Sequence, residues 1–556
     1  MQTKLKKLFK LFKNSLSFIS KHIFTILCVV LFVVISCKFE YFLYQKKEFL
    51  FSSVSLMFLM HIFSRLRYNI IFTIIFSLIV TINFYSAFVL YTYFNSGLFG
   101  SIMDTNIGEV RSMSKDILKL FIPMFAFSFF LIYMSMRELS KSKLPLKVSV
   151  IGFAMSALLI VPINAKNFIQ HKFGEMTTEV SEYPLVIAEL ATQRTAPIFY
   201  GNLLTAANYI DERIRYRNFY NTENKVLTDW LSYDETTPKD SLPQKIYLVI
   251  GESATRKRMS LYGYHQQTTP YADSLAMHDC NFRAYEGYSS STITRDAFRQ
   301  ILTASHPHSM DLFYTTQSLV DMANNINMHS VWLSPMTGIF RQHSGTYLQL
   351  LSSSAQELQY FPQRDDFVIL DLINEMSEPD KPQFILVGLN GSHGNYADGA
   401  DEIDEAALPY DNSITPDDNN YNRSIHHTDR FLRAMYEIML QDSSSVMLYS
   451  SDHGEIIGKG HGMREGRAQI EIPIMTFNNS GVDLDAIIDK YTLGENNNMK
   501  TLNNQSLFYI VAELMGYTVD NEAINHVLHE SQYVYYADKT IGRISEMKDG
   551  QNINKY

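Results

Sequence analysis

Asp452 and His453 follow directly on a short apolar run, Val446–Tyr449, and His461 comes eight residues after His453, set between Gly460 and Gly462. Carboxylate and imidazole groups in this pattern are ligands for zinc or manganese, and the histidines favour zinc. Two other apolar runs end the same way. Ile246–Ile250 is followed by Gly251-Glu252-Ser253, and Phe384–Val387 by Gly388-Leu389-Asn390-Gly391-Ser392-His393-Gly394. A nucleophile is on offer in the hydroxyl-rich segment Gly287–Thr294, which holds both Thr292 and Thr294. The next residues, Arg295–Leu302, have helical spacing, which makes Thr294 the natural N-cap. A helix N-terminus also presents free N–H groups to a phosphate. A metal at the threonine oxygen would lower its pKa and make it a nucleophile. Singly, each residue has a plainer role as a turn, a cap or a loop histidine. Together, at three strand ends, they point to a metal-assisted site.

These groups need a frame. Short β-rich runs at Ile246–Ile250, Val331–Leu333, Phe384–Val387, Val446–Tyr449 and Ile472–Phe477 alternate with helical segments at Thr294–Leu302, Gln317–Ile326 and Asp429–Leu440. That alternation predicts an α/β domain over 241–556 with a mostly parallel sheet, whose ligands bind beyond the carboxyl ends of the strands. Residues 166–240 read as a helical, polar, membrane-proximal connector carrying Arg194, Arg213, Arg215 and Arg217.

Residues 1–165 are different in kind. Five apolar segments, about 22–42, 49–64, 70–94, 118–136 and 148–164, predict five transmembrane helices. The N-terminal tail and the loops near 65–69 and 137–147 carry twelve Lys and Arg, and the other two loops carry four. The positive-inside rule then places the N-terminus in the cytoplasm and everything after 165 across the membrane, in the periplasm of a two-membrane bacterium. The net charge of -9 gives no reason to expect a nucleic-acid partner. Three cysteines, Cys28, Cys37 and Cys280, make no disulfide framework.

The run Ile246–Tyr264, containing Gly251-Glu252-Ser253 and followed by Thr268-Thr269-Pro270, resembles the opening motif of bacterial phosphoethanolamine transferases. Ser451-Asp452-His453-Gly454-Glu455, Gly391-Ser392-His393-Gly394-Asn395-Tyr396 and Gly460-His461-Gly462 are similar to that family's metal and histidine motifs, and the five-span half matches too. These are inner-membrane enzymes with a periplasmic domain of alkaline-phosphatase/sulfatase fold. The resemblance implies that Glu252, Asp452 and His453 bind zinc, and that Thr294 is the catalytic threonine and also a ligand. It implies that His393 and His461 contact the transferred phosphate or a second zinc. Thr105, Asn106 and Glu109 resemble a polar motif that helps hold the lipid donor.

The residues around Thr294 look most like the lipopolysaccharide-core branch. The lipid A branch has its nucleophile in a different, small-residue segment and carries disulfides in its soluble domain. The implied reaction moves phosphoethanolamine from phosphatidylethanolamine to an envelope glycolipid, lipopolysaccharide core or lipid A, through a phosphoethanolamine-threonine intermediate, releasing diacylglycerol. One firmly bound zinc is expected, a second is left open, and the enzyme is expected to be a monomer. Two alternatives share the fold: a phosphodiesterase or sulfatase-type hydrolase, and a glycerophosphate transferase. A sulfatase normally needs a Cys or Ser converted to formylglycine, and no Cys lies within 287–294. A non-catalytic sensor would not need the full ligand set.

Overall fold

The computed structural model describes residues 20–37, 46–89, 93–104, 107–169, 179–180, 184–220, 225–235, 242–335, 347–361, 365–376, 378, 381–496 and 499–549. It divides into two compact units: one is mostly residues 1–99, 114–176 and 180–210, and the other is mostly 211–556.

The first unit is helical. Helix Asn69–Phe88 buries Thr73, Ser77, Thr81 and Asn83 while Ile70, Ile71, Ile74, Ile75 and Leu78 stand exposed. That is the reverse of a water-soluble helix, and it is the pattern lipid selects. The buried hydroxyls of Thr73, Ser77 and Thr81 donate to carbonyls four residues back, so none is left orphaned. Two helices, Asn69–Phe88 and Leu118–Ser140, are long and apolar enough to cross a bilayer; Ile23–Ser36, Ser52–Ser64 and Leu146–Leu158 are apolar but shorter among the described residues. Glu138 accepts from the Phe24 and Thr25 amides and the Thr25 hydroxyl, fixing the start of the first helix.

The second unit is built on a nine-stranded sheet. Its strands are β1 Lys245–Gly251, β2 Phe282–Tyr288, β3 His329–Ser334, β4 Glu357–Tyr360, β5 Gln383–Gly388, β6 Ser445–Ser451, β7 Glu471–Asn478, β8 Gly494–Asn496 and β9 Met499–Asn503, in the order β8-β9-β2-β7-β6-β1-β5-β3-β4. β1 is buried along its whole length. Its side chains alternate between two cores, Ile246, Leu248 and Ile250 to one face and Tyr247 and Val249 to the other. That is what period-2 geometry demands of a strand covered on both sides.

The sheet is mixed, which corrects the expectation of a mostly parallel one. The centre, β6-β1-β5-β3-β4, is parallel, but β7 runs antiparallel to both β6 and β2. Between β6 and β7 lies the loop 452–470, whose one helical element is the short turn Arg467–Gln469; with no crossover helix, the chain returns in the opposite direction.

Candidate active site

The three central strands end in step. Gly251 on β1 pairs with Ser451 on β6, and Ile250 pairs with Gly388 on β5. Glu252 and Asp452 are therefore each the first residue past a paired strand end. The Asp452 amide donates back to the Gly251 carbonyl at 3.0 Å, which locks the two loops together.

Both Asp452 oxygens have defined surroundings. Oδ1 accepts from the His453 amide at 2.6 Å and the Ser253 amide at 3.1 Å. Oδ2 is buried, has no hydrogen-bond partner among the described residues and lies 3.3 Å from His453 Nε2. His453 Nδ1 donates to the Gly454 carbonyl at 2.8 Å, which leaves the Nε2 lone pair facing inward. Glu252 Oε1 lies 3.6 Å from that same Nε2 and accepts from the Ser253 hydroxyl at 2.8 Å.

Thr294 completes the group. Its hydroxyl lies 3.1 Å from His453 Nε2 and 3.3 Å from Glu252 Oε2. The N-cap of helix Thr294–Leu302 is Ile293, which makes no side-chain capping bond, so Thr294 is the first helical residue and not the cap expected from sequence. A β-branched residue can occupy the first turn without capping it, and here the hydroxyl turns toward the carboxylates instead. The Thr292 hydroxyl is buried and makes no hydrogen bond among the described residues.

Burial penalises charge here. It lifts the Asp452 carboxyl above its ordinary range, against the pull of its two amide donors. Burial, aided by the charge of His461, pushes the His453 imidazole well below its ordinary range. Two buried carboxylates, one oxygen with no partner and a neutral imidazole facing the same point would be relieved by a cation. Glu252, Asp452 and His453 bring ligand atoms within 4.8 Å of one another. Oxygen and nitrogen donors of this kind suit zinc, so the residues fit the metal.

The two remaining histidines form the rim. The His461 ring centroid is 4.0 Å from that of His453 and 6.3 Å from that of His393. Both rim histidines are half-buried, as is Thr294, whereas Glu252, Asp452 and His453 are buried. Burial lowers the His461 imidazole, but the Glu455 carboxylate beside Nδ1 more than offsets it and holds it above its ordinary value. Thr105 and Asn106 lie outside the described residues, as does the side chain of Glu109.

Sequence reasoning missed the residues that hold this group in place. Glu455 accepts from His461 Nδ1 at 2.9 Å and from the Tyr396 hydroxyl at 2.8 Å. Asn504 joins two loops, accepting from the Ser290 amide at 2.9 Å and donating to the Asp452 carbonyl at 2.9 Å. Asp366 accepts from the amides of Asn390 and Gly391, two residues ahead of His393. Gly391 sits at φ 47, and a Cβ there would come within 2.8 Å of the Glu252 carbonyl, so only glycine lets the His393 loop reach Glu252. Glu455 lay in a motif already singled out; Asn504 gave no signal.

Residues 244–517 match the sulfatase family. The putative transferase YhbX of Escherichia coli K12 is 27% identical over 380 residues, covering 67% of this chain and 65% of that protein. Phosphoethanolamine transferase EptC of Escherichia coli O18:K1:H7 is 25% identical over 326 residues, 55% of this chain and 54% of that one. The chain thus spans less than two thirds of the length of these relatives. Among solved structures, the integral membrane protein lipooligosaccharide phosphoethanolamine transferase A from Neisseria meningitidis matches with TM-score 0.61 at 16% identity, covering 86% of this chain and 89% of that one. The fold is shared across that span.

Proposed function

We propose, from the match of residues 244–517 to the sulfatase family and from relatives named as phosphoethanolamine transferases, that this protein transfers phosphoethanolamine from phosphatidylethanolamine to an envelope glycolipid. The observation that carries the reading is the Thr294 hydroxyl, 3.1 Å from His453 Nε2 and 3.3 Å from Glu252 Oε2, at the end of the central strands.

Glu252, Asp452, His453 and the Thr294 oxygen would hold zinc, which would supply Lewis acidity and offset charge on the phosphoryl group. The chain's own residues do the rest. Thr294 Oγ1 attacks the phosphorus as its hydroxyl proton passes to Glu252 Oε2, 3.3 Å away. The bond from phosphorus to the diacylglycerol oxygen breaks, and the departing oxygen takes a proton from His461 or His393. The resulting phosphodiester on Thr294 keeps the ethanolamine. An acceptor hydroxyl or protonated phosphate oxygen then attacks the same phosphorus, the Thr294 oxygen leaves and takes its proton back from Glu252, and the rim histidine recovers its proton from the acceptor. Glu455 keeps His461 protonated for the first step. A second zinc on His453, Glu455 and His461, which also bring ligand atoms within 4.8 Å of one another, is the alternative use of the rim.

The domain plan belongs to the same proposal: residues 1–165 span the inner membrane five times with the N-terminus in the cytoplasm, 166–240 connect, and 241–556 work in the periplasm as a monomer. The lipid-facing pattern of Asn69–Phe88 supports it. Anchoring the site at the bilayer raises the effective concentration of a lipid donor. Asn106 and Glu109 are proposed to help hold that donor. The residues around Thr294 favour the lipopolysaccharide core as acceptor.

The test is donor turnover by the purified full chain in detergent. Diacylglycerol should form from phosphatidylethanolamine, faster with lipopolysaccharide present, and should stop with chelator and resume with zinc. Release of free ethanolamine phosphate at the same rate with and without acceptor would make the protein a hydrolase instead.

A further inference from the structure

Of the sixteen histidines in the chain, four gather around one carboxylate outside the Thr294 site. His306 Nδ1 and His308 Nδ1 lie 2.9 and 2.6 Å from Glu530 Oε2. His529 Nδ1 lies 3.1 Å from Glu530 Oε1, and His526 Nε2 lies 3.1 Å from His306 Nε2. Glu530 and His526 are four residues apart on helix Asn521–Glu530 and so share a face. His306 and His308 come from the segment that follows helix Thr294–Leu302. The Trp230 ring closes one side, 4.5 Å from His526 and 6.0 Å from His306 between centroids.

We propose that His306, His308 and Glu530 form a second divalent-metal site, for an ion of the zinc class, with His526 backing His306 at its outer nitrogen. Ligand atoms of the first three all lie within 4.8 Å of one another. Around a tetrahedral zinc with bonds of about 2.0–2.1 Å, neighbouring donors stand about 3.3 Å apart. The cluster therefore has to open by less than an ångström. Nitrogen donors with a single carboxylate select zinc over magnesium or calcium. The Nε2–Nε2 approach of His306 and His526 leaves one proton to serve two nitrogens. Glu530 is buried and His308 half-buried, so the site has a closed floor and an open side. Its occupant would clip the segment behind the Thr294 helix to the helix Asn521–Glu530.

The test counts ions. Full-length protein in detergent, stripped with chelator and confirmed folded by circular dichroism, is titrated with zinc against a chromophoric competitor. The comparison is wild type, His308→Ala and Glu530→Gln. Wild type should bind one zinc more than either variant, and cobalt in its place should give tetrahedral visible bands that His308→Ala lacks. Because the readout is a difference between proteins, it stands whatever the Thr294 site holds. Equal counts in all three overturn the proposal, as does an extra wild-type ion held more weakly than about 10 μM, which is adventitious binding. If Glu530→Gln does not fold, the half-buried His308→Ala alone decides.

Discussion

Glu455 touches no reacting atom, yet it holds His461 by Nδ1 and is itself held by Tyr396. Glu455→Gln should lower kcat by roughly 10–100-fold, the usual cost of losing such a support, while the KM for the lipid donor and the content of tightly bound zinc stay the same. A change confined to KM would place His461 in donor binding instead. At this scale the sequence was informative about ligand chemistry and less so about support. Glu252, Asp452, His453, His393 and His461 stand out because carboxylates and imidazoles after apolar runs are unusual. Asn504 and Asp366 act through backbone amides and a carbonyl, and any polar residue in a loop looks the same until the loops meet.

Helices Glu402–Ala407 and Pro416–Met439 are joined through one carboxylate. Asp404 accepts from His426 Nδ1 at 2.6 Å, His427 Nδ1 at 2.8 Å and Arg430 at 3.0 Å. Burial lowers the His427 imidazole, but its bond to Asp404 outweighs this and raises it above its ordinary value of 6.5. A group raised on folding adds stability that is complete below its unfolded value and is lost as pH rises through the folded one. The melting temperature of wild type should therefore exceed that of Asp404→Asn by more at about pH 6 than at about pH 8.5, by about 1–2 °C for each kcal/mol lost. A gap independent of pH would assign the stabilisation to Arg430 alone. The start of the longer helix was hidden in the sequence. Thr415-Pro416-Asp417-Asp418 forms a capping box, but the polar run that follows has no apolar period, so the helix became visible only from Asp429. Five strands, β1, β3, β5, β6 and β7, were legible as short apolar runs. β4, β8 and β9 were not, being short and polar, nor was β2, because Phe282–Tyr288 alternates charged and aromatic residues on a partly exposed strand.

The whole molecule pairs a lipid-adapted unit with a water-soluble one, and its cysteines report on both. Cys28 is buried in the first unit and Cys280 is exposed in the second. With the outer membrane permeabilised and the inner one intact, a membrane-impermeant maleimide should label Cys280 and leave a Cys280→Ser variant unlabelled. Labelling of Cys280 only after the inner membrane is broken would reverse the orientation drawn from the Lys and Arg distribution. The α/β class of the second unit was legible in the sequence. The reversal of β7 was not, since strand direction depends on the path of a loop. The most direct test of the central claim is to incubate the zinc-loaded protein with head-group-labelled phosphatidylethanolamine, without acceptor, and to map the label by peptide mass spectrometry. Phosphoethanolamine on Thr294 of wild type, released on adding lipopolysaccharide and absent from Thr294→Ala, is the predicted result. Label on Thr292, or diacylglycerol release from Thr294→Ala at the wild-type rate, would contradict it.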